Sequence, residues 1–107
     1  MIDTIEEHVV LVAYTEPPGE EWPVVDVYAG EVIYAPDGTF EGWERGQWWE
    51  SEVLDNGTPG APAALDDIDT ALTRRGYTRT GPWHGPKITR RGERYLANAL
   101  ARIEAVG

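Results

Sequence analysis

The stretch HVVLVAYT, residues 8–15, indicates how the chain folds. Every residue from Val9 to Tyr14 is apolar, and no polar residue alternates with them. A strand with one wet face shows a period of two, so an unbroken run is typical of a strand covered on both faces. The run is far shorter than the roughly 20 residues that a membrane-spanning helix needs. We therefore expect a central strand of a sheet.

Turn signals divide the flanking sequence into further strands. The loop EPPGEEWP, residues 16–23, contains three prolines, which cannot donate to a strand ladder. The turn APDG, residues 35–38, places Pro, Asp and Gly where a tight turn uses them. The segment DNGTPGAPA, residues 55–63, then ends the strand pattern. These signals predict a small antiparallel sheet over residues 8–54.

The last third of the chain changes to a helical pattern. Residues 63–75 carry apolar side chains on one stripe, aspartates near the start, arginines at the end and Gly76 as a stop. Residues 91–105 carry a second stripe, formed by Leu96, Ala99, Leu100 and Ile103. Between them, residues 77–89 are expected to form a short extended hairpin. The predicted fold is α+β, a single domain over residues 1–107 in which two helices pack on the sheet.

The charge is unevenly distributed. Residues 1–60 hold fourteen acidic residues and one basic residue, whereas residues 61–107 hold five acidic and eight basic residues. This asymmetry indicates either a charged partner or attraction between the two halves of the fold. The start of the chain lacks the basic and apolar segments of a signal peptide, so we expect a cytoplasmic protein. Eight arginines to one lysine, with much Ala, Gly and Pro, suggest a GC-rich source such as an actinobacterium or its phage.

The sequence carries no catalytic signature. It has no cysteine, Ser51 is its one serine, and His8 and His84 stand 76 positions apart. No glycine-rich phosphate loop is present. The adjacent Glu6, Glu7 and His8 would point to alternate faces of a strand, which is unsuitable for metal ligation. We assign no catalytic residue, metal or cofactor, and enzymatic activity is left open.

The stretch GWERGQWWESEV, residues 42–53, is the candidate binding segment. On a regular strand Trp49 and Ser51 share one face, while Trp48 and Glu50 share the other, so one tryptophan faces solvent. It either covers a sheet edge or stacks with an arginine, or it anchors a partner. The expected function is a small acidic protein-binding module, for example a phage- or actinobacterium-encoded inhibitor of a basic, nucleic-acid-binding protein. The expected partner-binding residues are Trp43, Trp48, Glu41, Glu44, Glu50 and Glu52.

The segment LDDIDTALTRRGYTRTGPWHGPKITRRGERYLANAL, residues 65–100, supports an alternative. Its helix ending in RRGY, its two extended arms and the line ITRRGERYL resemble the second half of a winged-helix DNA-binding domain. The N-terminal half does not match that family. The resemblance implies a recognition helix in the major groove, a wing on the DNA backbone and a closing helix. The alternative is thus a DNA-binding regulator that uses Arg74, Arg75, Arg79, Lys87, Arg90 and Arg91.

Overall fold

The computed structural model describes residues 2–16, 19, 21–55 and 59–106, and the side chains within residues 6–102 of these ranges. The described chain forms six strands and one helix. Their bounds are β1 (Ile2–Glu16), β2 (Val24–Tyr34), β3 (Phe40–Val53), α1 (Leu65–Arg74), β4 (Tyr77–Arg79), β5 (His84–Thr89) and β6 (Gly92–Val106). The strands make one antiparallel sheet in the order β3-β2-β1-β6-β4, and β5 also pairs with β6.

The unbroken apolar run lies at the centre of the sheet, as predicted. The strand β1 pairs with β2 on one side and with β6 on the other, and residues 9–13 are all buried. Val9, Leu11 and Ala13 contribute to a core on one face, whereas Val10 and Val12 contribute to a second core on the opposite face. We call the face with Val9, Leu11 and Ala13 the helix face, and the face with Val10 and Val12 the hairpin face.

The helix face is covered by α1. The predicted helix over residues 63–75 is confirmed, since α1 spans Leu65–Arg74 and ends just before Gly76, whose φ is 89°. Ile68 and Leu72 point to the sheet and are buried there. Across the described ranges there is no other helix, and none that could span a membrane.

The prediction of a second helix over residues 91–105 is wrong, and with it the α+β class with two packed helices. This segment is β6, and the fold is mostly antiparallel sheet. Alanine, leucine and arginine favour helices, and the apolar stripe fits a helix as well. However, β1 is buried and its second edge needs hydrogen-bond partners, which β6 supplies from Ile2↔Val106 to Tyr14↔Arg94. This long-range pairing overrides the local propensity.

The predicted hairpin over residues 77–89 is wrong as well. The strands β4 and β5 do not pair with each other, because both pair with the free edge of β6. The strand β6 is 15 residues long, so its edge accommodates β4 near Leu100 and β5 near Arg94. The actual hairpin is β5–β6, which turns at Arg90 and Arg91.

The hairpin face is covered in part by the β2–β3 hairpin itself. Bulges interrupt its pairing, and its distal part bends over the sheet so that Val32 packs with Val10, Val12 and Leu96. The backbone N–H of Val32 donates to Asn98 Oδ1 at 2.6 Å. At the tip, the Phe40 ring stacks on His84 with centroids 4.4 Å apart.

Gly30 allows this bend. Its φ is 143°, and a Cβ built at this position would lie 2.2 Å from the carbonyl oxygen of Glu44 on the neighbouring strand. A side chain would therefore force the two strands apart. The close approach of β2 and β3 at this point requires glycine.

Candidate binding surfaces of the sheet

No metal centre is found in the part of the chain that the structure describes. Within those ranges, no three histidine or carboxylate side chains come together as metal ligands. The polar side chains instead form hydrogen-bonded groups that link neighbouring strands and α1. These groups decide which of the predicted site residues are accessible to a partner.

Two of the predicted partner-binding carboxylates are used within the fold. Glu50 and Glu52 lie on the helix face, opposite Val27 and Val25 of β2. Arg75 forms ion pairs with both, at 3.2 Å to Glu52 Oε2 and with a closer contact to Glu50 Oε1. These carboxylates join β3 to the end of α1.

Tyr77 completes this group. Its hydroxyl donates to Glu50 Oε2 at 2.6 Å, and this hydrogen bond, with Arg75, holds the pKa of Glu50 below its usual value. Burial, together with the neighbouring Glu50 carboxylate, raises the pKa of Tyr77. Glu50 is therefore a charged acceptor held between two strands and the end of α1.

The predicted alternation of the adjacent tryptophans is broken by a bulge. Val27 pairs with Glu50 but Tyr28 pairs with Trp48, so Trp49 is an extra residue in β3. Trp49 packs against the core of the helix face. Trp48 shares the hairpin face with Ser51 rather than with Glu50, and it is 53% exposed. An exposed tryptophan was predicted, but its neighbours are different.

A chain of hydrogen bonds holds the exposed Trp48. Its Nε1–H donates to Ser51 Oγ at 3.1 Å, and the Ser51 hydroxyl donates to Asp26 Oδ1 at 2.6 Å. Arg91 Nη1 donates to Asp26 Oδ2 at 3.0 Å, and its guanidinium lies 4.0 Å from the centre of the Tyr14 ring. Asp26 is only 5% exposed. A buried carboxylate thus positions an indole on one side and a guanidinium on the other.

The other two predicted carboxylates are accessible. Glu41 and Glu44 lie on β3 and are exposed, and neither has an ion pair among the described side chains. Glu44 is the register partner of Glu31 on β2. Like charges directly opposite each other on a strand pair are unfavourable. This repulsion between Glu31 and Glu44 would be relieved by a cation placed beside them.

Trp43 is not an exposed anchor. Its ring is partly buried against the core of the hairpin face and makes an edge contact with Tyr28 at 6.2 Å. The guanidinium groups of Arg45 and Arg94 lie 5.6 and 5.7 Å from the centre of the Trp43 ring. The indole therefore sits beside two cations, within the range of cation–π contacts.

Half of the predicted nucleic-acid-binding cations are used within the fold. Arg75 and Arg91 are paired as described above. Arg79 donates to both oxygens of Asp69, at 2.9 and 3.0 Å, and lies over Trp83. The remaining three are exposed without an ion pair to the described side chains: Arg74, Lys87 and Arg90.

Comparison of the chain with protein-family models, with curated proteins and with solved structures gives no match. The winged-helix resemblance of residues 65–100 therefore stays a prediction. Its implied closing helix is the strand β6.

Sequence reasoning missed Asp26, Ser51, Arg45 and Arg94. Asp26 and Ser51 are 25 positions apart and meet only because β2 and β3 pair there. Asp26 stands between buried valines, and a charged residue inside an apolar strand is the signal that could have identified it. For Arg45 and Arg94 no local signal exists, since the bend of the β2–β3 hairpin brings both to Trp43.

Proposed function

We propose that the protein is a binding module that acts by protein–protein contact, and that its contact surface follows the open edge of β3, with Trp48 on the hairpin face and with Glu41 and the oppositely directed Glu44 along the same strand. We call this the β3 surface. The observation that carries the proposal is the half-exposed Trp48, held in place by a hydrogen-bonded chain that ends at a buried carboxylate. The proposed partner is a basic protein.

The geometry of Trp48 suits an anchor. Tryptophan is enriched among the residues that dominate binding energy. An indole that is already oriented by Ser51 loses less conformational freedom on binding than a free side chain does, so more of the contact energy remains as affinity. Burial of the exposed indole surface by a partner would then be favourable.

The position of β3 makes the surface accessible. The strand lies at one end of the sheet order and, among the described residues, is paired with β2 alone. Exposed charged residues on an edge strand discourage its association with the edge of another sheet. The exposed charges of β3 still permit contact with a partner that supplies the opposite charge. The outer edge of β3 is therefore open to a partner that contacts Trp48.

The charge distribution supports a basic partner. The chain has a formal net charge of −10, and Glu41, Glu44 and the opposing Glu31 are exposed on the β2–β3 hairpin. Such a field accelerates encounter with a cationic protein, and cationic side chains would relieve the repulsion between Glu31 and Glu44. An inhibitor encoded by a phage or an actinobacterium, directed at a nucleic-acid-binding protein, is one form of this proposal.

The alternative of a DNA-binding regulator has weaker support. Three of its six proposed phosphate-binding residues already neutralise carboxylates of the same chain. To bind DNA, these residues would have to exchange their ion pairs with carboxylates for contacts with phosphates. This exchange reduces the free energy gained from counterion release. The exposed Arg74, Lys87 and Arg90 are the part of that proposal that a duplex titration would test.

The test begins with affinity capture of a partner on immobilised protein, with two β3 variants and one control processed alongside. The variants are Trp48→Ala and Glu41→Gln/Glu44→Gln. The control is Asp66→Asn/Asp67→Asn, which makes the same change in net charge on exposed residues of α1.

The captured protein is then purified and titrated at about 50 and 200 mM salt, a range over which charge-dependent binding changes strongly. We expect the control to bind like the wild type and both β3 variants to lose most of their affinity. Equal binding by all four proteins would refute the proposal. Salt-dependent binding of labelled duplex DNA, lost when Arg74, Lys87 and Arg90 are replaced by glutamine, would favour the alternative.

A further inference from the structure

We infer that the hairpin face contains a binding site for a phosphate group, formed by Arg45, Arg94 and Lys87 beside Trp43. We call these three cations the basic cluster. The site uses none of the residues of the β3 surface, so it does not depend on the proposed function.

The cluster is assembled by strand register. Arg45 on β3 and Arg94 on β6 approach the same indole, at 5.6 and 5.7 Å from its centre. Lys87 on β5 is the register partner of Arg94, so the two side chains leave the same face of the sheet. Three strands therefore direct positive charge to one region of the hairpin face.

This charge is not neutralised within the described part of the chain. None of the three cations takes part in the ion pairs found there. Asp26, which also lies on the hairpin face, is engaged by Ser51 and Arg91. Two like charges in direct register, Lys87 and Arg94, cost stability unless an anion lies between them.

Arg94 adds an independent observation. Its Nε is buried and has no hydrogen-bond acceptor among the described residues. Buried donors are nearly always satisfied, and a bound ion or an ordered water is what supplies the acceptor for one that has none within the protein. Guanidinium groups bind phosphate through parallel N–H···O hydrogen bonds, and a lysine beside them contributes a point charge.

Two exposed carboxylates of the hairpin, Glu31 and Glu44, point away from this region. Glu31 and Glu44 are register partners one position along from Gly30 and Arg45. Because side chains alternate along a strand, they leave the hairpin on the opposite side from Arg45. An incoming anion therefore meets cations and an indole, in a chain that is otherwise strongly acidic.

The test is a titration of the full-length protein with inorganic phosphate, with adenosine monophosphate and with adenosine, each balanced with sodium chloride to constant ionic strength. The readouts are calorimetry and the ¹H–¹⁵N resonance of the arginine Nε–H groups. We expect saturable binding of both phosphate-bearing compounds in the millimolar range or below, a shift of the Arg94 Nε–H resonance and no binding of adenosine. Tighter binding of the nucleotide would identify a nucleotide phosphate as the source, whereas equal affinities would identify free phosphate.

The variants Arg45→Gln and Lys87→Gln test the cluster, because both residues are exposed and their replacement leaves the core intact. Each should weaken phosphate binding by about tenfold, as expected for loss of one charge-assisted contact. Arg74→Gln on α1 is the matched control and should bind like the wild type. The inference is overturned by an absence of saturable phosphate binding, by equal binding of adenosine, or by an equal loss of affinity in the Arg74 control.

Discussion

Replacement of Asp26 by alanine should be among the most damaging single changes on the hairpin face. The Asp26 carboxylate is 5% exposed and accepts hydrogen bonds from Ser51 at 2.6 Å and Arg91 at 3.0 Å. The Arg91 side chain is 52% exposed, so after the substitution water replaces most of the interaction that Arg91 loses with Asp26. The Ser51 side chain is exposed, but its hydrogen bond to the buried Asp26 is partly buried, and a hydrogen bond to a charged acceptor contributes about 1.5–3 kcal/mol. We therefore expect a loss of about 2–3 kcal/mol in the free energy of unfolding.

The substitution Asp26→Asn separates the two interactions. The amide oxygen can still accept from Ser51, whereas the amide N–H₂ cannot accept from Arg91. Its cost should be smaller, about 1 kcal/mol. Asp66→Asn, an exposed change on α1, should stay within about 0.5 kcal/mol of the wild type.

The assay is urea unfolding followed by tryptophan fluorescence, with free energies obtained by linear extrapolation. For a domain of this size, a loss of 2–3 kcal/mol corresponds to a fall in Tm of roughly 10–15 °C. If Asp26→Ala were as stable as the Asp66→Asn control, Asp26 would not hold the network together, and Trp48 would not be pre-positioned by it.

Three further predictions concern other parts of the fold. Gly30→Ala should destabilise the fold by more than about 3 kcal/mol, because the new Cβ meets the carbonyl oxygen of Glu44. Gly38→Ala has open space around it and should cost only about 1 kcal/mol of backbone strain. Urea unfolding of both variants measures the difference. Tyr77→Phe should cost about 1–2 kcal/mol, because it removes the 2.6 Å hydrogen bond to Glu50, and thermal unfolding at neutral pH checks this. The pKa of Glu50 is lowered in the folded state, so its stabilising contribution is complete above its unfolded pKa, near 4.5, and is lost as the pH falls through the folded value. The difference in stability between wild type and Tyr77→Phe should therefore narrow between about pH 6 and pH 3, and a constant difference would contradict this assignment.

The sequence predicted those elements whose signals are local. The run from Val9 to Tyr14 has no polar position, which suits only a strand buried on both faces, and β1 is that strand. Residues 65–74 combine an apolar stripe with charges that suit both helix ends, and they form α1. Residues 91–105 have a helical stripe too. Their pairing partners in β1 lie some 90 positions away in the sequence, so no local feature of residues 91–105 indicates the pairing.

The candidate site was less accessible to sequence reasoning because its geometry depends on irregular pairing. The alternation of a regular strand placed Trp48 beside Glu50, and the bulge at Trp49 reverses that relation. The pairing of Glu50 with Arg75 joins residues 25 positions apart that share no motif. The presence of an exposed tryptophan could thus be predicted, whereas the identity of its neighbours could not.

The measurement that tests the proposed function most directly is the affinity of the purified partner for Trp48→Ala, compared with wild type and the Asp66→Asn/Asp67→Asn control. The substitution removes the anchor without affecting the buried Asp26, so the fold should remain intact. We predict a loss of about 30-fold or more for Trp48→Ala, as expected for an anchoring residue, and no change for the control. Undiminished affinity in a correctly folded Trp48→Ala variant would contradict the assignment of the β3 surface as the binding surface.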